Sequence, residues 1–173
     1  MSDGFESTGS SGPGPSGVPP SLGPHGEGWV AIQAVLITLV LILGLKGPRW
    51  PWPGRVVRIV LALPLACAGL ALFAGGALRL GRHLTPLPKP TASGELRRDG
   101  VFSLVRHPIY GGVLLVFAGW TLVTSPLSIL AFAPAIPFLE LKRRREEAWL
   151  AERHADYGEY MADVRHKFVP FVW

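Results

Sequence analysis

The 173-residue chain has a single cysteine, Cys67, set inside an apolar run. An intramolecular disulfide is therefore excluded, and the cysteine count is silent on redox compartment. Cys67 reads as a small buried hydrophobe. Acidic residues are scarce, 12 Asp and Glu against 17 Lys and Arg, for a formal net charge of +5. In a soluble chain that balance suggests nucleic acid. Here the basic residues flank apolar runs, where they face anionic lipid, and no nucleic-acid partner is expected. The five histidines are scattered. No metal-ligand spacing, phosphate-cradling loop or Ser-His-Asp pattern accompanies them, and no metal is expected. Internal repeats are absent. Residues 1–28 lack Lys and Arg and are rich in Gly, Pro and Ser. Such a segment cannot bury a core and reads as a disordered tail. It lacks the basic start and immediate apolar run of a signal peptide.

What the chain does have is apolar residues, 49% of the total, clustered rather than periodic. That clustering implies an all-α integral membrane protein over residues 29–173. Four runs are visible. The first is Trp29 to Leu45, followed by a Pro- and Trp-rich turn over residues 47–54. The prolines end the helix and the tryptophans suit a membrane interface. The second run is Val56 to Leu80, with Pro64 as a kink and Ala62, Ala66, Gly69, Gly75 and Gly76 as close-approach positions. A polar connection over residues 81–107 follows. The third and fourth runs, Ile109 to Val123 and Leu127 to Leu141, are separated only by Thr124, Ser125 and Pro126. So short a break predicts a tight helical hairpin with both outer ends on one side of the membrane, the fourth helix distorted by Pro134 and Pro137. About four transmembrane helices result. After Leu141 the chain becomes charged, and the helix is expected to continue to about Met161.

The hairpin brings together two polar clusters. Arg106-His107 precedes the third helix; Arg143, Glu146 and Glu147 follow the fourth. Cations, a histidine and carboxylates at one mouth suit a zwitterionic small molecule, whose ammonium pairs with carboxylate and whose carboxylate pairs with guanidinium or imidazolium. Taken singly, each element has an ordinary reading. Arg106 and His107 are flanking charge, Pro108 is a helix start, Lys142 to Arg145 face lipid, and Tyr157 and Tyr160 are interface anchors.

Taken together, Arg106-His-Pro-Ile-Tyr-Gly-Gly112, the apolar hairpin, Glu146-Glu147, Leu150, His154-Ala-Asp-Tyr157, Tyr160 and Phe168-Val-Pro170 resemble the isoprenylcysteine carboxyl methyltransferase and phospholipid methyltransferase superfamily. The resemblance covers residues 84–172. It implies S-adenosyl-L-methionine bound in a cytosolic pocket capped by the C-terminal helix. By this resemblance the cofactor contacts fall on His107, Pro108, Tyr110 and Glu146, flanked by Arg106 and Glu147. The stretch Gly94, Glu95, Leu96 and Arg97 joins them, with the aromatic Phe102. The family's substrate-binding arginine falls on Lys142, with Arg143 beside it; these two are the candidate catalytic residues. The chemistry implied is transfer of an activated methyl group to a lipophilic acceptor, by positioning more than by acid–base work. Prenylcysteine-like carboxylates, phospholipid amines and thiols stay open as acceptors. A sterol-reductase-like NADPH enzyme and an inactive homologue are the rival readings. Membrane lipids are the other partners; nothing in the sequence sets an oligomeric state. Of the 17 Lys and Arg, 13 fall on residues 79–107 and the C-terminal segment. The positive-inside rule then puts both termini in the cytosol, with a bacterial-type inner membrane or its equivalent as the expected location.

Overall fold

A computed structural model describes residues 17–52, 54–90 and 95–172. Most of the expected tail, residues 1–16, and Gly94 of the candidate site lie outside the described residues. Among the described residues there are five α-helices: α1 (Glu27–Lys46), α2 (Arg55–Leu80), α3 (Pro108–Val123), α4 (Ile129–Arg153) and α5 (Tyr157–Asp163). No strand occurs among the described residues.

Two helical segments, Glu27–Lys46 and Arg55–His83, are long and apolar enough to cross a membrane. The core helix of a soluble protein would pass the same test but would be mostly buried. In each of these segments only 17% of the apolar window is buried. Val35, Ile42, Val57, Val60 and Leu63 are all more than half exposed or close to it. Apolar surface on that scale suits helices that face lipid. Cys67 shares this surface. It is exposed, not buried as its apolar setting suggested, because it projects from the lipid-facing side of α2. Helix α3 has 16 residues, about 24 Å at 1.5 Å per residue, short of a hydrocarbon core of about 30 Å.

Small residues set the packing. A Cβ on Gly69 would lie 2.7 Å from the Gly112 carbonyl oxygen, and one on Gly112 would lie 2.6 Å from that of Gly69. The backbones of α2 and α3 thus touch at a point where any side chain would part them. Helix α1 lies against α4, and a Cβ on Gly44 would meet the Trp120 indole at 2.3 Å. The α3–α4 corner is closed locally. Ser125 Oγ accepts from the Leu127 amide at 3.2 Å, and Ser128 Oγ donates to the Ser125 carbonyl at 2.6 Å. Helices α2 and α4 continue through their internal prolines.

The last helix departs from expectation. The charged helix does not reach Met161; it stops at Arg153, and His154 is extended at φ −117° and ψ 109°. The cause is long-range. Arg98 donates to the Asp156 carbonyl at 2.8 Å and pairs with its carboxylate. The chain is drawn out of the α4 axis, and α5 then turns Tyr157 and Tyr160 inward, leaving them 1% and 3% exposed.

Candidate active site

Pro108 opens α3 at its first position, where its missing amide hydrogen is no loss. Arg106 and His107 are therefore held in the non-helical segment leading in. Their amides donate to the carbonyls of His166 (3.0 Å) and Lys167 (2.8 Å). This docks the C-terminal segment across the mouth of the hairpin. Gly111 permits it: a Cβ there would stand 1.8 Å from the Phe168 carbonyl oxygen.

The predicted meeting of the two polar clusters is present. Glu147 Oε1 accepts from Arg106 Nε at 2.9 Å and from His107 Nε2 at 3.1 Å, while Oε2 accepts from Arg143 Nη1. A carboxylate has no proton to give, so the His107 Nε2 position carries one. Burial opposes the charge on Glu147, but the hydrogen bond and charge of His107, then Arg143 and Arg106, outweigh it and hold the carboxyl well below the usual carboxylate range. Glu147 is thus the anionic centre of a buried cationic cluster. Arg143 completes its other side with a bidentate pair to Glu140 at 2.9 and 2.6 Å.

Glu146 faces the other way. It accepts from Tyr110 Oη at 2.6 Å, and the Tyr110 ring lies parallel to His107, 5.5 Å between centroids. Glu146 lines a cavity of about 110 Å³ with Glu95, Leu96, Arg97, Phe102, Arg106 and His107. Leu80, Leu150, Tyr157 and Tyr160 complete the wall. A second cavity of about 110 Å³ adjoins it, sharing Leu80, Glu95, Glu146 and Leu150. Of the residues singled out in the sequence, Pro108, Tyr110, Lys142, Arg143 and Glu147 stand behind this wall. Leu80, Leu150 and the two tyrosines were not singled out as site residues. The Tyr157-x-x-Tyr160 spacing and Leu150 were the available signals, since one helical turn places both rings on one side. Burial pushes the Tyr160 hydroxyl up to about 12. Burial, helped by the Glu147 and Glu146 charges, raises Tyr157 further. Both stay neutral, and Tyr160 Oη donates to the Phe102 carbonyl at 2.7 Å.

Lys142 is 1% exposed. Its ammonium donates to Gln33 Oε1 and, at 3.0 Å, to the Pro86 carbonyl, and lies 5.3 Å from the centre of the Tyr110 ring. Burial pushes its pKa down, although the Glu146 charge resists. Gln33 in turn heads a crevice of about 20 Å³ between α1, α3 and α4, walled by Val113, Leu114, Phe117, Phe138 and Leu139. Among the described residues no group of His, Cys, Asp and Glu is placed to hold a metal ion.

The site therefore joins a polar cavity carrying both charge signs to an apolar crevice inside the hairpin. No curated protein gives a significant match to the chain. A family model described as phospholipid methyltransferase matches residues 57–157, more than half of the chain, from the first turn of α2 to the first residue of α5. With its helices exposing apolar surface to lipid and its Arg-His-Pro, Glu-Glu and Tyr-x-x-Tyr residues gathered at one mouth, the chain belongs to this family of membrane methyltransferases.

Proposed function

We propose that the protein transfers the methyl group of S-adenosyl-L-methionine to a lipophilic acceptor, in a four-span body with the C-terminal helix as a cap over the cofactor. One observation carries the reading. Glu146 of the polar cavity is bonded to Tyr110, whose ring packs under Lys142, whose ammonium is bonded to Gln33 of the apolar crevice. A polar space and an apolar crevice are thus linked through four side chains in contact.

The donor set fits the cofactor. Glu146 and Glu95 supply carboxylates for an α-ammonium, Arg97 and His107 supply donors for an α-carboxylate, and Phe102, Leu96 and Leu150 supply apolar surface for a purine. Neither 110 Å³ cavity alone is large enough, but the two share Leu80, Glu95, Glu146 and Leu150 and together form an elongated space. When bound, the cofactor supplies an activated methyl group on sulfur. The chain's own residues then have positioning roles. His107 is fixed in ring orientation by Glu147, Tyr110 holds Glu146 toward the cavity, and Tyr157 and Tyr160 close the space from α5. A closed, water-poor site protects an activated methyl donor from hydrolysis. Arg143 and Glu147, whose polar atoms are engaged with each other, Glu140, Arg106 and His107, hold the frame. Lys142 stands where an acceptor head group would arrive. A crevice of about 20 Å³ is too narrow for an acyl or prenyl chain, so α1 and α4 must part to admit one.

The acceptor divides into two cases. A carboxylate head group would pair with the Lys142 ammonium. The name of the matching family points to the second case, a phospholipid amine, which must lose a proton before attack. The deciding experiment is transfer of a labelled methyl group in membranes containing the protein, followed by mild alkaline treatment of the lipid extract. A methyl ester releases labelled methanol; an N-methyl group does not. Absence of any labelled lipophilic product would overturn the proposal.

A further inference from the structure

We propose that the end of the helical body opposite the methyl-transfer mouth carries a second site, which binds the phosphate of an anionic phospholipid. The two ends are separated by α3. His107 precedes its first residue, and Val123 and Thr124 stand at its last, 16 residues on. There a cavity of about 510 Å³ is lined by Arg49, Trp50, Trp52, Arg55, Arg58 and Ile59, and closed by those two α3 residues.

Its charge is of one sign. The stretches that supply this end, the close of α1, the turn to α2, the first turns of α2 and the α3–α4 corner, lie within residues 28–94 and 100–139, which contain no Asp or Glu. Lys46, Arg49, Arg55 and Arg58 therefore have no carboxylate partner near them. The cavity is also built. The Trp50 indole donates to the Thr121 carbonyl at 2.9 Å, which ties the turn to α3. The Arg58 guanidinium lies 5.5 Å from the centre of that indole and donates to the Pro51 carbonyl at 3.4 Å. Arg49 reaches the Gly44 carbonyl at 3.5 Å. Each guanidinium has five N–H donors, so most remain available. Among the described residues the Arg55 side chain makes no hydrogen bond or ion pair. It opens α2, where free backbone amides and the helix dipole also favour an anion.

A phospholipid fits better than a soluble phosphate. Val56, Ile59, Val60 and Leu63 continue from the cavity along one side of α2, exposed by 68, 45, 63 and 63%. They offer acyl chains a track that a free anion would not use. Trp52, 76% exposed, belongs at head-group level. Such a site also explains why four cations persist at the end that the positive-inside rule leaves poor in them: the lipid phosphate neutralises them there.

The test uses the full chain in a neutral detergent, with native mass spectrometry and thermal unfolding. Dioleoyl phosphatidylglycerol, dioleoyl phosphatidylcholine and glycerol 3-phosphate are the probes. Phosphatidylglycerol should bind saturably and raise the unfolding midpoint. Arg55→Gln and Arg58→Gln should each weaken that binding about fivefold, the effect of one cation near a lipid surface. Arg82→Gln, at the other end, should leave it unchanged. Arg58→Gln risks the fold through the lost Trp50 stack; Arg55→Gln breaks no contact and decides the matter alone. Phosphatidylcholine or glycerol phosphate acting as well as phosphatidylglycerol would overturn the proposal, as would full affinity in Arg55→Gln.

Discussion

Glu147 accepts from Arg106, His107 and Arg143 at once, and its removal leaves the buried Arg106 guanidinium without its anion and Arg143 with Glu140 alone. Glu147→Ala should therefore cost about 3–5 kcal/mol of stability, with Glu147→Gln milder because an amide oxygen still accepts; thermal unfolding in detergent measures both. The pH dependence follows from the depressed pKa. In the unfolded chain the carboxyl titrates near its ordinary value of 4.5. In the folded chain it stays ionised to lower pH. Its contribution is fully present above about pH 5 and is lost as pH falls from there toward the folded value. The gap between wild type and Glu147→Gln should be constant from pH 5 to 8 and shrink below pH 4.5. A gap that widens on acidification would reject the assignment. Glu146→Ala and His107→Ala act differently. In the proposed cofactor site each would remove a charge-assisted contact, with an expected loss of about 1.5–3 kcal/mol, or tenfold or more in affinity. Glu159→Ala, exposed on α5, is the control for calorimetric titration with S-adenosyl-L-methionine; equal affinity in all three would remove His107 and Glu146 from the cofactor site. The pairing of Arg106 and His107 with Glu147 was legible because a three-residue break forces the hairpin ends together. What sequence could not supply was the division of labour within Glu146-Glu147. Adjacent helical residues point about 100° apart, so one turns to the cavity and the other to the cations, and only packing decides which.

At the scale of elements, the C-terminal segment is held by backbone contact rather than by side-chain packing alone. Gly111→Ala would place a methyl group inside the Phe168 carbonyl. The segment must then lift, breaking the bonds from the Arg106 and His107 amides to His166 and Lys167. A loss of about 1–3 kcal/mol is expected, as for overpacking elsewhere, together with faster proteolysis after residue 163. Gly158→Ala, with nothing within 4 Å of its new Cβ, should be neutral or stabilising by up to about 1 kcal/mol. Equal proteolysis in the two variants would show that the segment does not depend on Gly111. The same element marks where sequence reading ended. The starts of α1 to α4 follow from apolar runs bounded by Gly and Pro, because those residues set local backbone geometry. The stop of α4 at Arg153 has no such local cause. It depends on Arg98, 58 residues away from Asp156. A helix broken by a distant arginine leaves only the Ala-Asp step as a trace in the sequence.

At the scale of the whole molecule, orientation and acceptor access are linked. In the proposed four-span arrangement, with 13 of the 17 Lys and Arg at the methyl-transfer end, the positive-inside rule predicts that this end is cytosolic and that Trp52 is not. Reporter fusions at Trp52 and at the C-terminus test this; a cytosolic Trp52 would sink the four-span arrangement. The proposed function then predicts that the acceptor reaches Lys142 from within the bilayer. Val113, Leu114, Phe138 and Leu139, the apolar residues nearest the mouth of the hairpin, wall one crevice headed by Gln33, and Gln33 is bonded to Lys142. A chain lying in that crevice gains up to about 0.8 kcal/mol for each buried CH₂. Methyl transfer should therefore rise with acyl or prenyl length at a fixed head group until the crevice is filled, and then level off. Rates must be compared at equal surface concentration in vesicles, since longer chains also partition more strongly into the bilayer. Phe117→Trp, which narrows the crevice midway, should bring the plateau to shorter chains without changing cofactor affinity. A short water-soluble acceptor methylated as fast as its long-chain analogue, or a plateau unmoved by Phe117→Trp, would mean that the acceptor arrives from water and that the crevice is only packing.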